Sequence, residues 1–331
     1  MPIRIVQIQR GDQRRVAIVR EPELGLTEFA SVYELVSASL DSGATLLELL
    51  EAASNTESIG YESIYRGDSD WRLLPPIDHP EPARCMVSGT GLTHGGSARD
   101  RQSMHVDKPE QITDSMRMYR SGVEGGRPAE GAVGTAPEWF YKGTGSILRA
   151  HREPLTVPWF GEDGGEEAEI AGIYIIGPDA VPRRVGMAMG NEFSDHKYEK
   201  KNYLHLAGSK IRTCSLGPEL VIGAEFQSVP GTVSIRRDDM MIWSKQIATG
   251  EAEMCHSLAN IEHHHFKYDG HRRPGDVHVH YYGAHSLSFG DGIELRSGDI
   301  MQVRFDGFGR PLHNPLDVSR VAANPVVTIP L

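Results

Sequence analysis

Two glutamates at the start of an apolar segment have a spacing that could support metal chemistry. Residues 165–176 read GEEAEIAGIYII, so carboxylates run directly into a β-prone stretch. Side chains alternate along a strand, and Glu167 and Glu169 would therefore share one face and could bind the same ion. The same alternation is equally expected of a solvated strand end, so a second feature has to decide between the two.

Glu192 supplies that feature, because it follows the small and apolar residues of the segment GMAMGNEFSD at 186–195. Three converging carboxylates would place about three negative charges in one cleft, a cost that a bound cation would have to offset. A set of oxygen ligands suits Mg²⁺ or Mn²⁺, with Ca²⁺ as a further candidate, rather than zinc. We therefore predict a divalent metal site formed by Glu167, Glu169 and Glu192.

Two lysines follow residues that are unusual neighbours for surface lysines. Lys142 ends the segment WFYK and Lys210 ends the segment AGSK, whereas most surface lysines lie among polar residues. A lysine beside a metal can hold a substrate carboxylate or, when desolvated, act as an acid or base with a lowered pKa. Taken singly, either lysine could still be an ordinary surface residue.

The histidine-rich segment 263–265, with His278 and His280 after it, raises the alternative of a transition-metal site. Three adjacent histidines on a strand or loop do not face one way, and the sequence contains no HExxH spacing. Solvated histidines, or core histidines with hydrogen-bond partners, are the favoured interpretation.

The candidate residues need a sheet to position them. From Cys85 onward, short apolar runs alternate with Gly, Pro and Asp, which predicts a sheet-rich region with few long helices. The glycine-rich segment 121–135 is predicted to be a loop. The predicted strands include residues 170–176, 220–222, 232–236, 277–282 and 300–305.

The first eighty residues follow a different pattern, in which helices are predicted as well as strands. The proline-rich segment 75–82 cannot be helical. We predict an α+β fold with a small N-terminal α/β domain at residues 1–82 and a catalytic domain at residues 83–331. The predicted N-terminal elements are a hairpin of residues 3–7 and 15–19 and two helices around 29–36 and 46–50.

Composition limits the class of protein. The 331 residues are 39% hydrophobic and 24% charged, as in an ordinary globular protein. The net charge is -11 and the basic residues are scattered, which argues against a nucleic-acid partner. The sequence shows neither a secretory signal nor an apolar run of about 20 residues, so we expect a cytoplasmic protein with no membrane partner. Three distant cysteines without a CxxC motif favour buried or incidental thiols.

In their order along the chain, these motifs resemble the fumarylacetoacetate hydrolase family. The resemblance extends from about residue 85 to about residue 316, and the ordered set is more specific than any one motif. PEWFYK at 137–142 is similar to the family's P-x-x-F-x-K, EAEIA at 167–171 to its E-x-E, and GNEFS at 190–194 to its N-D-x-[ST]. GSK at 208–210 with LGP at 216–218 is similar to its G-K-S-F with LGP, and SGDI at 297–300 to its closing GD-x-[IV].

The resemblance implies a homodimeric enzyme with a mixed β-roll catalytic domain, which binds Mg²⁺ or a similar ion and acts on 2-oxo or 1,3-dioxo acids. Glu167 and Glu169 take the two E-x-E ligand positions, and Glu192 takes the position of the family's aspartate. Lys142 and Lys210 take the substrate-lysine and catalytic-lysine positions. The other residues assigned to substrate binding on this ground are Ser146, Gly283 and Ala284.

Departures from the family pattern bear on the reaction. Hydrolases of the family activate water with a His and a Glu on a mobile lid, and these positions fall on Ser97 and Asp100 here. A serine cannot serve as a base near neutral pH without a partner. A one-turn change of register would instead use His94 or His105. The family's T-G-T-P loop is replaced by YGAH at 282–285, so the substrate pocket also differs.

With the segment GNEFSDHKYEKKNYLHLAGSK, these departures are most similar to a sugar-acid branch of the family. The expected reaction is the Mg²⁺-dependent dehydration of 2-keto-3-deoxy-D-pentonate to 2-oxoglutarate semialdehyde through a metal-bound enolate. Lys210 is the predicted proton carrier, and Ser97 or Asp100 would relay protons to the leaving hydroxyl. The alternatives are a carbon-carbon hydrolase of a 2,4-diketo acid and an inactive binding or scaffold protein.

Overall fold

The computed structural model describes residues 2–105, 112–318 and 324–331. The strands within these ranges are β1 (Ile3–Arg10), β2 (Gln13–Arg20), β3 (Glu23–Thr27), β4 (Ser54–Gly60), β5 (Arg72–Leu73), β6 (Cys85–Gly91), β7 (Glu138–Thr144), β8 (Leu148–Arg149), β9 (Leu155–Val157), β10 (Ala168–Ile176), β11 (Pro182–Asn191), β12 (Cys214–Leu216), β13 (Leu220–Ile222), β14 (Val229–Arg237), β15 (Met240–Thr249), β16 (Val277–Tyr281), β17 (Ile300–Phe305) and β18 (Leu312–Val318). They cover the strands predicted from the sequence.

The helices in the described ranges are short. They are α1 (Val32–Ser42), α2 (Leu46–Ala52), α3 (Tyr61–Arg66), α4 (Gly95–His105), α5 (Asp114–Gly125), α6 (His196–Lys201), α7 (Leu206–Lys210) and α8 (Leu258–Phe266). None of these helices combines the length and the apolar character that crossing a bilayer requires.

A large mixed sheet forms the centre of the molecule. Its main path has the order β4-β3-β2-β1-β13-β11-β10-β16-β6-β7. Most neighbours are antiparallel, but β16 and β6 run parallel. Every residue of β10 is buried, because this strand lies inside the sheet and both of its faces are covered. The central strands can therefore hold polar side chains at their ends in a fixed geometry.

A second sheet packs against the first and has the order β15-β14-β17-β18-β9. Met187 and Met189 of β11 belong to the same buried apolar cluster as Val303 and Phe305 of β17. This cluster joins the two sheets near the end of β11, where Glu192 follows. A chain of mixed α and β structure with large mixed sheets agrees with the predicted fold class.

The predicted N-terminal hairpin and helices are confirmed. Strands β1 and β2 pair from Ile5↔Ile18 to Arg10↔Gln13. The hydroxyl of Ser31 accepts a hydrogen bond from a backbone N–H in the first turn of α1, and Thr45 forms a capping box with Glu48 at the start of α2.

The N-terminal strands continue directly into the central sheet. Ile5 of β1 pairs with Leu220 of β13, and one apolar cluster includes Ile5 and Leu35 together with Val279. The sheet and its core therefore cross the predicted division between residues 82 and 83, and that division stays a prediction.

The predicted loop over residues 121–135 is wrong for its first five residues, which form the end of α5. Thr113 caps this helix by accepting a hydrogen bond from the N–H of Met116. A Cβ atom at Gly122 would lie 2.6 Å from Nε2 of His256, so the glycine allows close packing. The remaining residues, 126–135, form neither helix nor strand, as predicted.

Candidate metal centre and active site

The three predicted metal ligands come together at the ends of two paired strands. Glu169 lies on β10, Glu167 directly precedes that strand, and Glu192 directly follows β11. The pairing of β10 with β11 brings these strand ends side by side, and the N–H of Glu192 donates to the carbonyl of Glu167 at 2.9 Å. One carboxylate oxygen from each glutamate lies within 4.8 Å of the others, and all three residues are buried.

The electrostatics of the three glutamates are strongly unequal. Burial raises the pKa of Glu169, and the neighbouring carboxylates of Glu192 and Glu167 raise it further, well above its ordinary value. Burial alone would also raise the pKa of Glu167, but Lys210 and His196 outweigh burial and hold it well below its ordinary value. Glu169 is thus the carboxylate whose negative charge the nearby cations compensate least, a condition that a divalent ion would relieve.

A turn after β11 orients two of the three ligands. Asn191 Oδ1 accepts from the N–H of Glu167 at 3.1 Å and from the N–H of Phe193 at 3.2 Å. Phe193 has a φ of 48°, so the turn uses the left-handed region for a bulky residue. Ser194 Oγ donates to Glu192 Oε2 at 3.0 Å. The backbone and side chains of this turn therefore position Glu167 and Glu192.

Both candidate lysines are fully buried, so the alternative of ordinary surface lysines is wrong. Lys142 on β7 donates to Glu192, to the carbonyl of Phe193 at 3.1 Å and to the carbonyl of Lys210 at 2.9 Å. Lys210, at the end of α7, donates to Glu167 at 2.6 Å and to Glu192 at 2.5 Å.

The pKa of Lys210 is raised in the arrangement that the structure describes, whereas the sequence predicts a lowered pKa for a desolvated lysine beside a metal. Burial alone would lower the pKa of this amine, but the carboxylates of Glu167 and Glu192 outweigh burial and raise it above its ordinary value. The aromatic ring of Phe140, 4.7 Å from Nζ, provides a further favourable contact for the ammonium. Lys210 is therefore an ammonium at neutral pH while it is paired with both carboxylates.

His196 is part of the centre and was not predicted from the sequence. Its Nε2 lies 3.0 Å from Glu167 Oε1, its exposure is 1%, and its Nδ1 has no hydrogen-bond partner in the described part of the chain. Burial alone would lower the pKa of His196, but its bond to Glu167 raises it. One feature of the sequence could have indicated His196. It lies four residues after Glu192, in a segment that departs from the family pattern.

Gly283 contacts the metal centre through its backbone. Its N–H donates to Glu169 Oε2 at 2.7 Å, and its φ is 101°. A Cβ atom here would lie 2.0 Å from Oγ1 of Thr93, so only glycine fits without rearrangement. Ala284 follows and is buried. The segment that replaces the family's T-G-T-P loop therefore lies beside the carboxylates.

Ser146 lies in a short 3-10 turn after β7 and is exposed. Its hydroxyl is 2.9 Å from the hydroxyl of Thr144, and its carbonyl accepts from Arg149. These contacts do not connect Ser146 to the three glutamates, and its role in substrate binding stays a prediction.

Ser97 and Asp100 lie on α4 and are half-buried. Ser97 Oγ donates to the carbonyl of His94 at 3.2 Å, and Asp100 accepts from the N–H of Leu287 at 3.3 Å. Burial raises the pKa of Asp100. The next residue, Ser288, donates twice to Glu166, the neighbour of Glu167, so this path connects α4 with the metal centre.

A one-turn change of register would use His94 or His105, and the structure describes the side chain of His94 but not that of His105. His94 is buried between the hydroxyls of Thr93 and Thr249, and burial lowers its pKa to about 3. A histidine with this pKa stays neutral near pH 7 but is a weak base. The side chain of His105 lies outside the described part of the structure.

A buried ion-pair triad fixes α4 beside the centre. Arg101 donates to Glu138 on β7 at 2.7 Å and pairs with Glu199 on α6 at 2.8 Å. Arg101 and Glu199 are 7% and 2% exposed, respectively. The triad connects three elements that also carry Asp100, Lys142 and His196, and no local sequence pattern predicted it.

His263 is exposed, whereas His265, His278 and His280 form a network of hydrogen bonds and ring contacts in the core. His265 Nε2 lies 2.9 Å from His278 Nδ1, and the two nitrogens of His280 contact the hydroxyls of Ser88 and Thr90 at 2.9 and 2.7 Å. Burial lowers the pKa of His278 and of His280 to about 3. These histidines are therefore neutral core residues with partners.

The residues of the centre fit a divalent cation. Glu167, Glu169 and Glu192 offer converging oxygen ligands, and a cation within about 2.0 to 2.6 Å of such oxygens is the usual arrangement for Mg²⁺, Mn²⁺ or Ca²⁺. The raised pKa of Glu169 also supports a cation site, because in the described part of the chain no cationic side chain is hydrogen-bonded to this carboxylate.

Comparison with solved structures shows which fold surrounds this centre. A 2-keto-3-deoxy-D-arabinonate dehydratase complexed with magnesium and 2,5-dioxopentanoate is 18% identical, with a TM-score of 0.72, over 96% of this chain and 100% of that chain. A fumarylacetoacetate hydrolase from Exiguobacterium antarcticum is 15% identical, with a TM-score of 0.61. A 5-carboxymethyl-2-hydroxymuconate delta-isomerase from Mycobacterium smegmatis is 16% identical, with a TM-score of 0.58. The last two comparisons also cover 96% of this chain and the whole of the other chain.

No family model and no curated protein matches the sequence itself. The structural likeness nevertheless defines the class: this chain has the fold of the fumarylacetoacetate hydrolase family. Within that fold, the 2-keto-3-deoxy-D-arabinonate dehydratase has a higher TM-score than the hydrolase or the isomerase. The resemblance drawn from the sequence is thus confirmed in the fold.

Proposed function

We propose that this chain is a metal-dependent lyase that dehydrates a 2-keto-3-deoxy sugar acid, with 2-keto-3-deoxy-D-pentonate as substrate and 2-oxoglutarate semialdehyde as product. The observation that carries the proposal is the buried cluster of Glu167, Glu169 and Glu192. Lys210 bridges Glu167 and Glu192, and Lys142 pairs with Glu192. The fold supports it, since a dehydratase of this substrate class shares that fold.

The three glutamates would hold Mg²⁺ or a similar ion. When bound, such an ion polarises the 2-oxo group of the substrate and makes the C3 proton more acidic. Three acceptors already occupy the N–H donors of Lys142. It would therefore contribute positive charge beside an acidic substrate and hold Glu192 in place, rather than exchange protons.

We assign the C3 proton to Lys210. Its amine lies between Glu167 and Glu192, and their charge keeps it protonated in the arrangement described above. Lys210 can accept a proton only when another cation shares the charge of those carboxylates. In this proposal, Lys210 therefore acts as a base only when a bound cation compensates the negative charge of Glu167 and Glu192.

Asp100 is the proposed proton donor to the C4 hydroxyl as it leaves, with Ser97 as a relay. Burial raises the pKa of Asp100, and a carboxyl that keeps its proton nearer to neutral pH is a better general acid. The N–H of Leu287 fixes this carboxyl from the segment that also contacts Glu166. One side of the substrate would thus face Lys210 and the other would face α4.

Hydrolysis of a 2,4-diketo acid is the second candidate, because a hydrolase shares the fold. Hydrolysis needs a base that activates water, and the two residues at that position do not form one. Ser97 donates its hydroxyl to the carbonyl of His94, the residue before α4, and Asp100 accepts from a backbone N–H. This arrangement favours dehydration.

The deciding experiment incubates the purified protein and Mg²⁺ separately with 2-keto-3-deoxy-D-pentonate and with an acylpyruvate. We expect 2-oxoglutarate semialdehyde from the first, identified by mass spectrometry, and no cleavage of the second. Cleavage of the acylpyruvate without formation of the semialdehyde would establish the hydrolase instead.

Replacing both Glu167 and Glu169 by glutamine tests the metal centre. The same variant tests the third possibility, that the protein is an inactive scaffold. We expect the double variant to lose Mg²⁺ binding in calorimetry and turnover together. Glu166→Gln is the matched control, because Glu166 is equally buried but faces Ser288, so it should keep metal affinity. A parent protein with neither metal affinity nor turnover would support the scaffold.

The homodimer and the cytoplasmic location implied by the resemblance and composition remain part of this proposal. Light scattering of the purified protein tests the first, with the mass of two chains as the expected result.

A further inference from the structure

A cavity of about 310 Å³ opens on the second sheet, away from the residues assigned to the metal centre. Its floor comes from three neighbouring strands, with Arg236 on β14, Gln302 on β17 and His313 on β18. Gln302 pairs directly with His313 in the sheet, so the positions of these two side chains are fixed by the register. Arg152, from the turn after β8, completes the wall.

The cavity carries more positive charge than negative charge. Arg152 and Arg236 line it together with one acidic residue, Asp239. The carboxylate of Asp239 is fully exposed and approaches Arg236 no closer than 3.9 Å. In the described part of the chain, the guanidinium of Arg152 has neither an ion pair nor a hydrogen bond. Two arginines therefore retain most of their capacity to bind an anion.

His313 lines the same cavity as the two arginines. Its Nε2 is buried and has no hydrogen-bond partner in the described part of the chain. Burial lowers the pKa of His313, and Arg152 and Arg236 lower it further, so both cations lie close to this imidazole. The imidazole is therefore neutral near pH 7 and leaves the positive charge of the cavity to the two arginines.

The backbone keeps Arg152 in place beside His313. The N–H of Arg152 donates to the carbonyl of His313 at 2.6 Å. Arg152 also has a φ of 71°, a conformation that costs a residue with a side chain free energy. The cavity is thus organised before any ligand enters.

We propose that this cavity binds a small multivalent oxyanion, a phosphoryl or polycarboxylate group, through Arg152 and Arg236. Arginine forks match the oxygens of either group, and the cavity is large enough for a ligand of several heavy atoms. This site is separate from the proposed metal centre and does not depend on the proposed reaction.

The test is isothermal titration calorimetry of the full chain in Mg²⁺ buffer at constant ionic strength. Inorganic phosphate is one probe and tricarballylate, a weakly chelating tricarboxylate, is the other. We expect saturable one-site binding of at least one probe. Binding of phosphate alone would assign the site to phosphoryl groups, and binding of tricarballylate alone would assign it to polycarboxylates.

Arg152→Gln and Arg236→Gln should each weaken binding about tenfold or more, since each removes charge-assisted hydrogen bonds. Arg304→Gln is the matched control, because it removes the same charge from an exposed arginine of β17 that pairs with Asp306 outside the cavity. It should leave affinity unchanged. Saturable binding by neither probe, or an equal loss of affinity in Arg304→Gln, would overturn the proposal.

The melting temperature and the Mg²⁺ affinity of each variant show whether it is folded. These measurements therefore distinguish misfolding from loss of the anion site. Neither Arg152 nor Arg236 contacts the metal centre, so both properties should match those of the parent protein. Normal folding and metal binding with unchanged anion affinity in both variants would also refute the assignment.

Discussion

Replacing His280 by glutamine should make the stability of the protein less sensitive to acid. His280 is buried on β16 between the hydroxyls of Ser88 and Thr90, and burial lowers its pKa to about 3. The imidazole therefore stays neutral in the folded chain between pH 7 and pH 5. In the unfolded chain it binds a proton below its ordinary pKa of about 6.5.

The sign and size of the effect follow from linkage. Below about pH 6.5 the unfolded chain binds more protons than the folded chain, so stability falls as the pH falls, down to the folded pKa near 3. Between pH 7 and pH 5 one such histidine costs about 1.9 kcal/mol. Glutamine cannot titrate, and the variant should lose about 1.9 kcal/mol less than the parent over this interval, although it is less stable at pH 7.

Guanidinium chloride unfolding at pH 7.0 and pH 5.0 measures this difference. Thr90→Val is the control, because it removes a hydrogen bond to His280 but keeps the buried imidazole. It should lower stability at both pH values and retain the parent's dependence on pH. If His280→Gln and the parent lose the same free energy between the two pH values, His280 does not remain neutral in the folded protein.

Two further changes test the surroundings of the metal centre. Gly283→Ala should lower the free energy of unfolding by about 1–3 kcal/mol and weaken Mg²⁺ binding, since the methyl group has no room. Gly270→Ala is the control, because its methyl group would lie in open space and should have neither effect. Arg101→Gln should destabilise the fold by about 3–5 kcal/mol, because Glu138 and Glu199 would be left as unpaired buried carboxylates. Arg101→Lys, which keeps the charge, should recover part of the loss, and equal losses in both variants would contradict an electrostatic role.

Local spacing was sufficient to predict much of the centre. Alternation along a strand placed Glu167 and Glu169 on one face, and the small residues before Glu192 indicated a buried strand end. The neighbours of Lys142 and Lys210 were unusual for surface lysines, but local composition alone left the surface alternative open for both. These predictions succeeded because strand geometry is periodic and because each signal lies within about ten residues of chain.

Contacts between distant elements could not be predicted in this way. Arg101 finds its partners on β7 and α6, and His196 reaches Glu167 from a separate element. The raised pKa of Lys210 depends on two carboxylates that only the folded sheet brings to it. Glycines at the end of α5 predicted a loop, whereas tertiary packing against His256 selected a helix. Each of these features depends on tertiary contacts that no local window contains.

The pairing of β1 with β13 has a consequence for synthesis. Ile5 leaves the ribosome about 200 residues before its partner Leu220, which corresponds to roughly 10 to 40 s of translation. During that time the growing chain presents an unpaired edge strand, which is a risk for aggregation. Arg4, Arg10 and neighbouring Arg14 give this nascent edge a positive charge that discourages self-association. Chain order thus leaves the first strand to be synthesised without its full pairing until about two thirds of the chain has been made.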